Sequence, residues 1–120
     1  MTDVTNEAEI DPITNSPEAE YIKISAEVAK EMIDSQDVTI LDVRTPEEFT
    51  AGHIEDALLI PDFEIVEKAE EMLPDKDATI LVYCRTGRRS EIASRKLIEM
   101  GYTNVYDFGG IVDWLYEIIE

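Results

Sequence analysis

The chain is poor in several of the residues that most often carry chemistry or staple a fold. It has one cysteine, one histidine and one tryptophan in 120 residues, and only 10 basic side chains against 28 acidic ones. A single cysteine excludes an intramolecular disulfide or a multi-cysteine metal site, so any chemistry at the sulfur of Cys84 must be completed by a second molecule. No apolar run approaches the roughly 18 residues of a membrane span. The start MTDVTNEAEIDPITNSPEAE lacks the basic beginning and apolar stretch of a secretory leader, so a cytoplasmic location without membrane contact is expected. A formal net charge of -18 argues against nucleic acid as a partner. At this length one domain with its own core is expected, as a monomer.

Residues 1–20 carry Asp3, Glu7, Glu9, Asp11, Glu18 and Glu20, two prolines and no basic residue. Such a segment cannot bury enough apolar surface to offset its ordering entropy, which predicts a disordered acidic tail ahead of a folded domain at 21–120. From Tyr21 onward short β-rich runs alternate with amphipathic stretches, the rhythm of an α/β domain with a mainly parallel sheet. YIKI reads as a first strand, and Ser25 can cap a helix running to about Asp34. VTILDV (Val38 to Val43) and ATILVY (Ala78 to Tyr83) are apolar on both faces, as central parallel strands are. After the first of these, Thr45, Pro46 and Glu48 form the pattern of a capping box with proline at the first helical position. ALLI makes a short strand, a helix starts at Pro61 and Asp62, and Pro74 ends it. NVYDF reads as the last strand, and IVDWLYEIIE as a closing amphipathic helix that buries Trp114, Leu115 and Ile118.

Cys84 falls where the second central strand gives way to a helix, in the stretch ILVYCRTGRRS. The carboxyl edge of a parallel sheet is where ligands bind. A tight turn there, loosened by Gly87, can aim successive N–H groups and a helix N-terminus at the sulfur or at a bound oxyanion. Arg85, Arg88 and Arg89 add to this field. A guanidinium about 4 Å from the sulfur contributes on the order of 4 kcal/mol at an effective dielectric of about 20. Surface carboxylates farther than a Debye length of roughly 8 to 10 Å are largely screened. The local arginines are therefore expected to outweigh the distant acidic surface and make Cys84 a nucleophile toward anions. The layout also suggests a tyrosine phosphatase, but that signature needs an arginine where this chain has Ser90.

ILDVRTPEEFTAGHIEDALLIP (Ile40 to Pro61), CRTGRRS (Cys84 to Ser90) and GYTNVYDFGGIVDW (Gly101 to Trp114), in this order, resemble a single-domain rhodanese. The resemblance implies a central, mainly parallel five-stranded sheet with helices on both faces, and a sulfurtransferase that needs no cofactor. It implies that Cys84 forms a persulfide from a small anionic donor and passes the sulfur to cyanide or a thiol. Thiosulfate is the first choice of donor, with mercaptopyruvate and a protein persulfide as alternatives. Arg85, Thr86, Gly87, Arg88 and Arg89 would form the substrate-binding loop. The family usually has glycine at the position of Asp56, and aspartate tolerates the left-handed turn required there. Neither Glu48 nor Thr86 is basic, although some thiosulfate-using relatives carry basic residues there. The second functional reading is a catalytically idle module used for binding or sulfur relay.

The remaining candidates read structurally. His53 belongs to a turn rather than a Cys-His dyad. Asp42 and Arg44, at the end of a buried strand, are expected to form an ion pair or anchor the loop, in a supporting role with Ser90. Tyr83 can face either the pocket or the core. The run EKAEEMLPDKD is a solvated helix face with no histidine beside it, so no metal is expected.

Overall fold

The computed structural model describes residues 20–120, and the expectation of a disordered tail falls on residues 1–19, outside them. Five strands alternate with helices: β1 (Ile22–Lys23), α1 (Ala26–Ser35), β2 (Thr39–Asp42), α2 (Pro46–Ala51), β3 (Leu58–Leu59), α3 (Ile65–Met72), β4 (Thr79–Cys84), α4 (Arg88–Glu99) and β5 (Asn104–Gly110). They form one sheet in the order β1-β5-β4-β2-β3, with every pairing parallel. The central strands β2 and β4 are almost wholly buried, which explains why both read as continuous apolar runs.

Local signals set most of the boundaries. Ser25 Oγ accepts from the Val28 N–H at 3.1 Å and starts α1. Thr45 and Glu48 exchange both bonds of the capping box at the head of α2, with Pro46 in the first turn. The stretch after Pro61 begins as a single 3-10 turn, Asp62–Glu64, before α3. Asp56 adopts φ 70°, the left-handed turn expected of it.

The two faces of the sheet carry separate cores. On one, Ile65, Ala69 and Leu73 around α3 and Ala93 and Leu97 of α4 pack against Leu41, Ile80, Val82 and Val105. On the other, Ala29 of α1 meets Ile40, Leu81, Tyr83, Phe108 and Trp114.

The closing helix does not form. Only a 3-10 turn, Ile111–Asp113, follows β5, and the chain then runs back along the protein. His53 and Ile119 exchange both backbone hydrogen bonds, at 2.8 and 2.7 Å. Trp114 stays buried against Phe108, with ring centroids 5.5 Å apart, but Leu115 is 82% exposed and Ile118 43%. Gly110 offers no side-chain cap, and a helix this short is marginal by itself, so pairing with the turn at His53 wins.

Asp42, Arg44 and Tyr83 knit the centre of the sheet to the turn before β3. Arg44 lies 2.7 Å from Asp42 in a buried pair and also donates to the Gly52 carbonyl at 2.7 Å. Tyr83 donates to Asp42 Oδ2 at 2.7 Å and accepts from the Ile54 N–H at 3.1 Å, so it belongs to the core. Burial pushes the Tyr83 phenol well above its ordinary range, so it keeps the proton it donates. Burial opposes the Arg44 charge, but its bonds to Asp42 win and raise its pKa. Tyr83→Phe strands the Ile54 N–H, while Asp42 Oδ2 keeps its two bonds from Arg44. The change is expected to cost about 1–3 kcal/mol in denaturant unfolding.

Candidate active site

The connections after β2 and β4 leave the sheet in opposite directions, one toward β3 and the other toward β5. The crevice between the carboxyl ends of these two strands is the switch point where open α/β sheets bind ligands. Cys84 is the last residue of β4 and lies at this point, 1% exposed, with its side chain at the upper edge of one core. The sulfur thus lies at the floor of the turn that follows β4.

The turn itself is very tight. Gly87 takes φ 112° at the head of α4, and its N–H donates to Cys84 Sγ at 3.0 Å. Left-handed backbone here brings an amide back onto the sulfur within three residues, and the first turn of α4 adds the positive end of a helix. Space for the turn comes from β5. A Cβ on Gly110 would lie 2.2 Å from the Arg85 carbonyl oxygen and 2.6 Å from Thr86 Cα, so position 110 accepts no side chain without moving the loop.

The three loop arginines have different surroundings. Arg89 donates to Glu48 with both terminal nitrogens, at 2.7 and 2.9 Å, clamping the head of α4 to the head of α2. Three arginines in so short a loop cannot all point inward, and Arg89 is the one whose fork is filled by a carboxylate; its charge still acts on Cys84 at longer range. Bonding to Arg89 holds the Glu48 carboxyl well below its usual range, at about 2, against the opposing effect of burial. The same contact raises the pKa of Arg89. Arg85, Thr86 and Arg88 are exposed around the mouth, and neither Arg85 nor Arg88 forms a salt bridge with a described residue. Arg85 also borders a cavity of about 340 Å³ with Arg44, Glu48, Ile111, Val112 and Ile118. A larger cavity of about 570 Å³ lies beside Tyr21, Lys23 and Arg95 and contains none of these groups.

The remaining candidates are structural in their contacts. His53 stacks on Phe49 with centroids 3.8 Å apart, and its Nδ1 lies 2.9 Å from the Phe49 carbonyl. Ser90 is fully buried, its hydroxyl donating to Asp107 Oδ1 at 2.7 Å. Among the described residues no cluster of three or more His, Cys, Asp or Glu side chains could hold a metal ion. No helix among them is long and apolar enough to cross a membrane.

Comparison with known proteins bears on the fold and the family. Residues 25–117 match the model of the rhodanese-like domain. The chain belongs to the rhodanese-like family. This domain is 44% identical over 73 residues to the thiosulfate sulfurtransferase PspE of Escherichia coli, covering 61% of this chain and 70% of that one. It is 37% identical over 91 residues to a sulfurtransferase of Allochromatium vinosum, covering 75% of this chain and 83% of that one. A solved structure described as a rhodanese with anions from E. coli superposes with TM-score 0.66 at 38% identity, over 70% of this chain and 99% of that chain.

Two residues of this rhodanese-like site escaped the sequence reading. Gly110 matters for space rather than for dihedral freedom, with φ -118°, and no single-sequence pattern announces that. Asp107 did leave a signal: it alternates with Val105, placing a carboxylate on a core-facing phase of a strand.

Two variants probe this arrangement. Gly110→Ala must displace backbone rather than a flexible side chain, and is expected to cost about 1–3 kcal/mol in chemical denaturation. For Glu48 the folded value lies below the ordinary one, so its stabilisation is complete above about 4.5 and disappears as pH falls through about 2. The melting temperature of Glu48→Gln should therefore lie below that of the wild type at neutral pH and converge on it toward pH 2.

Proposed function

We propose that this rhodanese-like domain is a sulfurtransferase that carries sulfur as a persulfide on Cys84, with thiosulfate as donor and cyanide or a thiol as acceptor. The observation that carries this reading is the Gly87 N–H held 3.0 Å from Cys84 Sγ at the head of α4. Donors fixed in this way favour negative charge on the sulfur and on whatever leaves it.

In the first half-reaction the Cys84 thiolate attacks the outer sulfur of thiosulfate. The new S–S bond forms as the bond to the sulfonate sulfur breaks, and that electron pair leaves with sulfite. In the second, cyanide attacks the outer sulfur of the persulfide, thiocyanate departs, and the thiolate returns. A thiol acceptor takes the sulfur in the same manner, becoming a persulfide itself. No net oxidant or reductant is required. Arg85 and Arg88, exposed at the mouth, attract the dianionic donor, and the amides from Arg85 to Arg89 receive the charged sulfur. Two features of the comparisons support this reading: the match to sulfurtransferases along most of the domain, and a solved relative described with anions.

An idle binding module would also keep the fold, so the test is covalent. After incubation with thiosulfate, intact-protein mass spectrometry should show one added sulfur atom, removable by cyanide and absent in Cys84→Ser. Arg88→Glu should slow the addition roughly tenfold or more by reversing charge at the mouth. No added sulfur with thiosulfate, mercaptopyruvate or a small persulfide would reject the enzyme reading.

A further inference from the structure

Asp107 is a buried carboxylate that the reaction as described does not use. It is 2% exposed, and its Oδ2 has no hydrogen-bond partner among the described residues. Its Oδ1 accepts from the fully buried Ser90 hydroxyl at 2.7 Å and from the Gly109 N–H at 2.9 Å. Strand alternation alone would favour an apolar side chain beside Val105, and a buried carboxylate with one oxygen unsatisfied is costly.

Its partners are what distinguish it. Ser90 lies in the first turn of α4, its oxygen 3.1 Å from the carbonyl of Gly87, the residue whose N–H meets the sulfur. Gly109, with φ 88°, precedes the glycine that leaves room for the turn at Arg85 and Thr86. A Cβ built on Gly87 would lie 3.7 Å from Gly109 Cα, so the two left-handed glycines nearly touch. Asp107 therefore joins the two backbones that enclose the sulfur.

We propose that Asp107, acting through Ser90 and Gly109, is a positioning residue for sulfur transfer: it fixes the Gly87 amide on Cys84 Sγ and holds the turn closed against β5. This rests on the sulfurtransferase reading for its kinetic consequence, but not for its geometry. Asparagine can present the same Oδ1 to both donors, whereas leucine removes it.

Stopped-flow measurement of persulfide formation from thiosulfate, together with amide hydrogen exchange at Gly87, tests the idea. Asp107→Leu and Ser90→Ala should each lower the limiting rate roughly 10- to 100-fold, with little change in its dependence on thiosulfate concentration. Combining them should do no more than the worse single change, because they act as one unit. Exchange at Gly87 should quicken in both, and Asp107→Asn should restore most of the rate and the protection. Wild-type rate and Gly87 protection in Ser90→Ala and Asp107→Leu would overturn the proposal. So would an Asp107→Asn variant as slow as Asp107→Leu. If Asp107→Leu fails to fold, Ser90→Ala and Asp107→Asn decide. If the wild type takes sulfur from no donor, the sulfurtransferase reading falls, and Gly87 exchange alone still judges the positioning role.

Discussion

Everything at the candidate site depends on how β4 turns into α4. The turn must bring an amide onto the sulfur three residues earlier, and it does so only because Gly87 is left-handed and Gly110 gives no side chain to the space beside Arg85. The constraint is steric before it is electrostatic. A sulfur at the end of a central strand is common enough as a small apolar filler. Here the main chain folds back over it, and the switch point between β2 and β4 opens a crevice flanked by two strands there.

Charge is then distributed with economy in a protein of net charge -18. Arg44 is committed to Asp42 and to the Gly52 carbonyl, which anchors the turn before β3. Arg89 is committed to Glu48, which ties α2 to α4. These two guanidinium groups hold the walls of the site together, while Arg85 and Arg88 face solvent at its mouth. A loop that looks uniformly basic in sequence is thus divided between structural clamps and exposed charge. The division follows from reach: Glu48 sits in the first turn of α2, opposite the first turn of α4, where its fork and that of Arg89 meet face to face.

Much of this was legible in the sequence because it is written in local rules. The capping box at Thr45, the prolines at 46 and 74, and the doubly apolar runs of β2 and β4 each act within a few residues. The Asp42–Arg44 pair follows from equally short-range chemistry, while the left-handed turn at Asp56 was legible through the resemblance, from the glycine usual at that position. What failed to show was non-local. The final ten residues have helical spacing, yet their backbone pairs with His53, more than sixty positions earlier. The Glu48–Arg89 clamp spans 41 positions, and the need for Gly110 comes from a carbonyl on another strand's turn. Asp107 sits between these cases, its position on the strand visible and its partners not.

Sulfur transfer at this site requires the turn from Cys84 to Arg89 to cradle a charged sulfur with its amides, of which the Gly87 N–H already meets Sγ. A high-resolution crystal structure of the protein after thiosulfate treatment tests it most directly. An outer sulfur on Cys84 is expected within hydrogen-bond distance of the main-chain N–H groups between Arg85 and Arg89, with Gly87 still left-handed. An outer sulfur turned toward the apolar core, or a turn that has opened so that its amides face solvent, would contradict it.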